Sequence, residues 1–375
     1  MNKVTKRPLG EVAEIIMGQS PESESYNEKG DGIPFYQGKS DFGEVYPTIR
    51  MYCNSPKKIA EADDILMSVR APIGDVNIAQ EECCIGRGLA AIRPNNKVHL
   101  KYLFYLLDYY KERLDAQGTG STFKAIGKYI LNEFVIPIWE TEIQQDIVAK
   151  LNAIHNLIDN RKQVLSTLDT LIKSRFIEMF GDPVTNDMNW ETDILKNLGE
   201  LNRGVSKHRP RNAPELLGGP YPLVQTGDVS NADTYINDYS STYSEIGLKQ
   251  SRMWSKGTLC ITIAANIAQT GILTFDACFP DSVVGFISDS RTNQMYMHYW
   301  FSFFQKILEE QAPQSAQKNI NLQILSNLSV MVPPLELQEQ FAKFVELTDK
   351  SKLAVQQSID TLQTLKAKLM QDYFG

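Results

Sequence analysis

The sequence repeats itself once, and this duplication constrains the fold more than any other feature. Residues 83–181 align without a gap with residues 277–375, a shift of 194 positions (277 − 83). About one aligned residue in five is identical, and the identical pairs include Tyr102/Tyr296, Gln144/Gln338, Phe180/Phe374 and Gly181/Gly375. A period of this length indicates two copies of a domain, because solenoid repeats are roughly 20–50 residues long. Each copy is predicted to be a mixed domain followed by one long helix.

The long helical segment over residues 141–181 organises the chain and recurs at 336–375. Thr141 and Gln144 have the spacing of a capping box, while Gly181 and Pro183 mark the helix end. Apolar residues alternate at spacings of four and three, which is typical of a coiled-coil seam. The predicted seam consists of Ile147, Leu151, Ile154, Ile158, Leu165, Leu168 and Ile172 in the first copy, and Phe341, Val345, Ile359, Leu362 and Leu369 in the second.

The two apolar stripes are predicted to pack against each other, because neither can remain exposed. At 1.5 Å per residue each helix is roughly 60 Å long. Two like units exchanged by a pseudo-twofold axis must run these helices antiparallel, with the mixed domains at opposite ends. The alternative, in which each helix packs on its own domain, stays open, although a lone domain seldom offers a groove of that length.

The mixed domains are predicted to contain short strands and one aromatic helix each. Strands at 64–70 and 76–79 flank a turn at 71–75, and 258–263 and 271–275 form the counterpart. Further expected elements are strands at 88–93 and 282–287, amphipathic helices at 101–116 and 295–310, and closing strands at 130–138 and 325–332.

Composition indicates a cytoplasmic protein. No apolar run approaches the length of a membrane span, and the N-terminus lacks a signal-peptide apolar region. The five cysteines are an odd number without a C-x-x-C pair, so we expect reduced thiols, with Cys83 and Cys84 in a buried strand. The net charge is −7, and residues 1–140 and 191–335 each carry about −2. This charge argues against a protein that coats nucleic acids without sequence preference, but it permits binding to DNA through a local basic face.

Polar and basic loops supply candidate contacts to DNA. Residues 203–211 form the densest basic run, and residues 117–124 and 311–319 share a pattern of hydroxyl, amide and Lys side chains that suits phosphates and base edges. The candidates are Arg70, Ser121, Thr122, Lys124, Lys207, Arg209, Arg211, Gln269, Gln317 and Lys318. Solvated or merely structural loops remain the alternative, as does a structural ion pair for Arg70.

Catalytic and metal-binding motifs are missing from the sequence. No stretch fits a phosphate-binding P-loop or a dinucleotide fingerprint. The four histidines, at positions 99, 155, 208 and 298, lack metal-ligand spacing, so no metal site is predicted. The repeat does not preserve His155, because Asp349 aligns with it. We therefore expect a chain that is not itself an enzyme and binds no cofactor.

Several motifs occur in a specific order along the chain. They are Leu9-Gly10-Glu11 with Leu198-Gly199-Glu200, Ser68-Val69-Arg70-Ala71-Pro72-Ile73-Gly74, Ser315-Ala316-Gln317-Lys318-Asn319-Ile320, and Val332-Pro333-Pro334-Leu335-Glu336-Leu337-Gln338-Glu339-Gln340. In this order the whole chain resembles the specificity subunits of Type I restriction–modification systems, the HsdS family. The first copy departs from the pattern, with Trp139-Glu140 at the place of Pro333-Pro334, and Phe123 and Ala125 at the places of Gln317 and Asn319.

The resemblance implies an α+β fold, a tandem duplication of two mixed α/β target recognition domains separated by two long helices that form an antiparallel coiled coil. Target recognition domains are expected at residues 1–140 and 182–335, and spacer helices at 141–181 and 336–375. Each domain would read half of a bipartite, asymmetric site in double-stranded DNA. A rigid spacer would fix the half-site separation at about 34 Å for heads on one DNA face.

The same resemblance implies partners. The helices would dock two methyltransferase subunits, which bind S-adenosylmethionine and methylate adenine, with or without restriction subunits. The first alternative is a pseudo-symmetric protein–protein scaffold with no DNA role, which the acidic charge favours. The second is a self-contained DNA enzyme, which the missing cofactor motifs disfavour.

Overall fold

The computed structural model describes residues 4–120, 124–264, 267–311 and 320–375, without side chains for 306–311. It divides into two compact units: a first unit of Met1–Lys162 with Gln357–Gly375, and a second unit of Gln163–Gln356. Both units contain strands and helices. In the described parts of the chain, no helix is long and apolar enough to span a membrane.

In its described residues, the first unit holds eleven strands in three sheets, of two, four and five strands. The strands are β1 Thr5–Pro8, β2 Ala13–Met17, β3 Tyr26–Asn27, β4 Ile33–Tyr36, β5 Tyr52–Cys53, β6 Ile59–Ala60, β7 Ile65–Ser68, β8 Val76–Ile78, β9 Cys83–Ile85, β10 Leu89–Pro94 and β11 Val135–Ile138. The helices are α1 Leu100–Tyr109, α2 Lys111–Ala116, α3 Lys128–Glu133 and the start of α4 Thr141–Phe180, with 3₁₀ turns at Leu9–Glu11, Ser23–Ser25 and Lys39–Asp41. The four-stranded sheet has the order β2-β10-β7-β8.

The second unit repeats this plan. Its strands are β12 Thr192–Ile194, β13 Gly199–Arg203, β14 Leu217–Leu223, β15 Tyr235–Ile236, β16 Ser241–Tyr243, β17 Met253–Trp254, β18 Leu259–Thr262, β19 Thr270–Leu273, β20 Ala277–Cys278, β21 Val283–Ser288 and β22 Ser329–Met331. Its helices are α5 Thr226–Ser230, α6 Glu245–Lys249, α7 Gln294–Gln311, α8 Leu322–Ser326 and most of α9 Leu335–Phe374, with 3₁₀ turns at Leu195–Asn197 and Pro214–Leu216. The order β13-β21-β18-β19 matches the first unit, and β15 adds a parallel edge strand.

The hairpin turns of the two units share hydrogen bonds at equivalent positions. The backbone N–H of Asp75 donates to the Ser68 hydroxyl (3.0 Å), and that of Gln269 donates to the Thr262 hydroxyl (3.1 Å). The preceding residue has a positive φ in both turns, +91° at Gly74 and +57° at Ala268. An alanine in this left-handed region is uncommon, and the shared hydrogen bonds hold it there.

Some predicted details are wrong. The backbone N–H of Leu9 donates to the carbonyl of Phe134 (2.8 Å), and that of Leu195 donates in the same way to the carbonyl of Leu328 (2.9 Å). Leu9 therefore corresponds to Leu195. The predicted alignment of Leu9 with Leu198 is displaced by three residues (198 − 195). The expected strands at 130–138 and 325–332 begin as the helices α3 and α8 and become strands only at β11 and β22. The expected helix at 101–116 is broken at Tyr110 into α1 and α2.

The predicted capping box at Thr141 is also wrong, because Gln144 is used differently. Its buried side chain accepts a hydrogen bond from the backbone N–H of His99 (2.7 Å) and donates to the carbonyls of Lys97 (3.2 Å) and Trp139 (2.7 Å). The amide therefore bonds the first turn of α4 to the chain ahead of α1. We call this arrangement the glutamine clamp.

The second unit has the same glutamine clamp. Gln338 is fully buried, accepts from the backbone N–H of Asn293 (2.8 Å) and donates to the carbonyls of Arg291 (3.0 Å) and Pro333 (2.7 Å). Because donors and acceptors are all paired, each clamp fixes the direction in which its long helix leaves the mixed domain.

The long helices run antiparallel within each unit. In the second unit the ring of Phe341 contacts those of Phe176 and Phe180, whereas Lys352, further along α9, pairs with Asp169, earlier on α4 (2.7 Å). In the first unit, Ile147, Val148 and Leu151 of α4 share a core with Met370 and Phe374 of α9. Of the predicted seam residues, Leu165, Leu168, Leu362 and Leu369 are half-buried and the other members are buried.

The buried polar residues of the second unit include a histidine. The His298 imidazole lies inside the second unit, with its Nδ1 atom 2.9 Å from the Thr270 hydroxyl. Burial lowers the pKa of His298 to about 4, so the ring is neutral at pH 7. The five cysteines are buried free thiols, and Cys83 and Cys84 lie in β9, as predicted.

We predict that Gln338→Ala lowers the free energy of unfolding of the second unit by about 2–4 kcal/mol, because it leaves one buried N–H and two carbonyls without partners. Urea unfolding followed by circular dichroism measures this change. The control is Gln340→Ala, which removes an exposed glutamine from the same helix. Equal effects of the two substitutions would show that the clamp contributes nothing specific.

Candidate nucleic-acid interface

Several loops of the first unit meet beside the turn that joins β7 to β8. Backbone hydrogen bonds join the turn to its neighbours: Val69 donates to Gly88 (2.8 Å), Ala71 donates to Lys124 (3.1 Å) and Ile126 donates to Val69 (3.0 Å). The loops that follow β4 and β9 are joined in the same way, since Gly86 donates to Tyr36 (2.8 Å). The structure thus brings together Arg70 and Lys124, which are distant in the sequence.

These loops surround a small basic cavity, which we call the Arg70 cleft. Its volume is about 280 Å³, and it is lined by Ser20, Gln37, Gly38, Lys39, Arg70, Ala71, Pro72, Arg87 and Gly88. Three of these side chains are basic and none is acidic. Arg70 and Arg87 are exposed, and among the described residues neither forms an ion pair. Lys39 also contacts Asp75 (3.1 Å). Guanidinium groups placed in this way can bind a phosphate or the O6 and N7 atoms of guanine.

Lys124 is less available than the sequence suggests. Its ammonium group donates to the Asp115 carboxylate (2.6 Å), and this contact holds the pKa of Asp115 below its usual range. A ligand anion would therefore have to compete with Asp115 for Lys124. The candidates Ser121 and Thr122 in the same loop lie outside the described residues, as do Gln317 and Lys318 in the second copy.

The basic loop of the second unit is folded over an aspartate. Arg211 pairs with Asp281 (2.7 Å), and Arg209 lies 3.7 Å from the same carboxylate while donating to two backbone carbonyls of its own loop. The backbone N–H of Lys207 donates to Gln250 (2.6 Å), and the Lys207 side chain is exposed. The loop therefore combines one exposed ammonium group with two guanidinium groups that share a single carboxylate.

Asp281 occupies the position that Arg87 has in the first unit (87 + 194 = 281). The surrounding contacts are equivalent, because Ile263 donates to Ser282 (3.1 Å) as Val69 donates to Gly88. Gln269, a half-buried candidate, likewise stands at the position of Asp75. The same framework thus carries different side chains in the two units.

Sequence reasoning missed Arg87 and Lys39 as members of the cleft. Arg87 stands between Gly86 and Gly88 directly after the buried strand β9, and this pattern is a usable signal for a side chain displayed on a tight turn. Lys39 gave no such signal, because its position depends on a contact with Asp75 across the fold.

Comparison with known proteins identifies the family. The family model for the Type I restriction modification DNA specificity domain matches residues 1–170 and 188–364. The putative type I restriction enzyme MjaX specificity subunit of Methanocaldococcus jannaschii is 49% identical over 150 residues, which are 40% of this chain and 35% of that protein. The MjaIX specificity subunit of the same organism is 22% identical over 97% of this chain and 91% of its own length. The match to MjaX thus spans about a third of that relative.

Solved structures share the fold along the whole chain. The S subunit of a Type I restriction–modification system from M. genitalium covers 100% of this chain and 96% of its own, with 16% identity and a TM-score of 0.58. A chain from a study of complex assembly and conformational transition in the type I R-M system covers 99% of this chain and 97% of its own, with 17% identity and a TM-score of 0.64. The predicted fold class, a tandem α+β duplication with two long antiparallel helices, is confirmed.

The chain therefore belongs to a family of DNA specificity domains. The resemblance to the specificity subunits of the Type I restriction–modification class is thereby confirmed.

Proposed function

We propose that the chain reads a bipartite, asymmetric site in double-stranded DNA, with one half read by each unit. It acts as the non-catalytic specificity subunit of an adenine methyltransferase, with or without restriction subunits. The observation that carries this proposal is the pair Arg87 and Asp281, which stand at equivalent positions of a repeated loop framework and have opposite charge. A duplicated framework with different side chains is what two different half-sites require.

Base reading by such side chains follows from their hydrogen-bonding groups. Arginine donates two hydrogen bonds to guanine, whereas a carboxylate accepts one from the amino group of cytosine. In the Arg70 cleft, Arg70 and Arg87 can donate hydrogen bonds to guanine. In the second unit, the Asp281 carboxylate can accept a hydrogen bond from cytosine when Arg209 and Arg211 leave it to bind phosphates. The local positive charge of the cleft supports contact with DNA by a chain whose net charge is −7.

We predict that Arg70→Ala with Arg87→Ala flattens the salt dependence of DNA binding by the assembled complex. A guanidinium group that contacts a phosphate contributes about 0.9 to the magnitude of the slope of log K against log salt. The double variant should therefore lose up to about 1.8 of that magnitude, and less where one of the two groups reads guanine instead. Fluorescence anisotropy with the cognate duplex over a salt series measures the slope. Arg50→Ala, an exposed arginine of the same unit outside the cleft, is the control. If the double variant has the same salt slope as the Arg50→Ala control, the Arg70 cleft does not contact DNA.

We also propose that exposed apolar residues on the long helices dock the methyltransferase subunits. Leu171 is 47% exposed on α4 in the second unit, and Leu365 is 44% exposed on α9 in the first. These two leucines are repeat equivalents (171 + 194 = 365), so each unit presents the same kind of apolar helix face. Val164, 39% exposed and seven residues before Leu171, widens the face in the second unit. Two equivalent faces suit two copies of one partner.

Leu171→Glu and Leu365→Glu should each remove one methyltransferase subunit, because burying an unpaired carboxylate at an apolar contact is costly. Native mass spectrometry of the co-purified complex should show two methyltransferase subunits for the unmodified chain, one for each single variant and none for the double variant. Lys173→Glu introduces a carboxylate elsewhere on α4 and should leave two bound. Retention of both subunits by the double variant would contradict this docking face.

The whole proposal is tested by co-expression with the cognate methyltransferase subunit and mapping of methylated adenine in host DNA. A bipartite motif should appear with this chain and vanish without it. Replacing residues 1–140 by those of a relative should change one half of the motif and leave the other half intact. A stable complex with no change in methylation would favour the protein–protein scaffold, and no complex at all would overturn the proposal.

A further inference from the structure

We propose that Glu44, His155 and Asp159 of the first unit form a binding site for one divalent cation of the Zn²⁺ type. None of these residues lines the Arg70 cleft. Their ligand atoms, two carboxylate oxygens and one imidazole nitrogen, all lie within 4.8 Å of one another. Sequence spacing predicted no metal site, because Glu44 lies far upstream and only the fold brings it to α4.

Helix geometry places two of the ligands side by side. His155 and Asp159 are four residues apart on α4, so their side chains lie on one face of the helix. The His155 Nε2 atom is 3.3 Å from the Asp159 Oδ2 atom. Ligand atoms around tetrahedral zinc, with bonds of about 2.0–2.2 Å, are separated by about 3.4 Å. The pair therefore already has the spacing of two ligands on one ion.

The site holds a cationic group in the present structure. The Lys162 ammonium lies 2.9 Å from the Glu44 Oε1 atom and 3.8 Å from the Asp159 Oδ1 atom. That Asp159 oxygen is shielded from solvent and accepts no hydrogen bond. The Lys162 side chain is half exposed, so it can turn into solvent when a metal ion takes its place. The two carboxylates are thus arranged around a position that favours positive charge.

The ligand set selects a class of ion. One imidazole and two carboxylates suit Zn²⁺, Co²⁺ or Ni²⁺ and leave a position for water, whereas Mg²⁺ prefers oxygen ligands alone. A cavity of about 860 Å³ includes all three ligands in its lining and provides an entry path. A bound ion would join the loop at Glu44 to α4 and so rigidify the first unit.

The second copy does not repeat the site. Asp349, Leu353 and Gln356 stand at the positions of His155, Asp159 and Lys162 (each + 194). In the part of the second unit that the structure describes, no cluster of this kind occurs. The stoichiometry should therefore be one ion per chain.

The test is titration of the full chain, purified without a histidine tag, with Co²⁺ followed by its visible absorption and with Zn²⁺ followed by calorimetry. One equivalent should bind, Zn²⁺ should raise the Tm, and Mg²⁺ should do neither. His155→Ala and Asp159→Asn should each weaken Zn²⁺ binding by at least about tenfold, since each removes one ligand.

Lys162→Met should have the opposite effect and strengthen binding by about tenfold or more, because it removes the competing cation. The control is His208→Ala, which removes a histidine 3.9 Å from the single carboxylate of Glu215 and should change nothing. Circular dichroism of each variant separates loss of the site from loss of the fold. Absence of binding, unchanged binding in the His155 variant, or weaker binding in Lys162→Met would overturn the proposal.

Discussion

A buried glutamine amide at the first turn of each long helix is the interaction on which the rest of the structure depends. Gln144 and Gln338 satisfy one backbone N–H and two carbonyls each, in places that water does not reach. An apolar residue in place of either glutamine would leave these backbone groups unpaired. The hydrogen bonds of the glutamine clamp therefore favour one orientation of the helix relative to its domain more strongly than apolar packing alone could. The pairing of the long helices within each unit follows from that orientation.

The main elements of the fold could be predicted, because they depend on patterns of residues that lie close together in the sequence. Duplication, helix length and the apolar seam depend on spacing along the chain, and the structure has α4 at Thr141–Phe180 and α9 at Leu335–Phe374. The role of Gln144 could not be predicted, because its partners Lys97 and Trp139 meet only in the folded unit. The short apolar run before β11 predicts a strand where the structure has helix α3, since such runs do not distinguish a strand from a helix.

The candidate interface was predictable in part for the same reason. Arg70 stood out because it adjoins a turn with Pro72 and Gly74, and the structure places it in a basic cleft. The availability of Arg209 and Arg211 could not be judged from the sequence, because the carboxylate that they share belongs to Asp281 in a distant loop. Charge at an interface depends on which acids the fold brings near each base, and composition does not contain that information.

The sharing of helices between the compact units has a consequence for biosynthesis. Met370 and Phe374 belong to the core of the first unit, where Phe374 contacts the ring of Tyr102. A ribosome delivers these residues only after the whole second unit has been made. Until then, part of the apolar surface of the first domain stays exposed to solvent. Completing its core requires closure of a loop as long as the second unit, and the entropic cost of closing a loop grows only slowly with its length. Maturation of the first unit is thus coupled to translation of the last turn of α9.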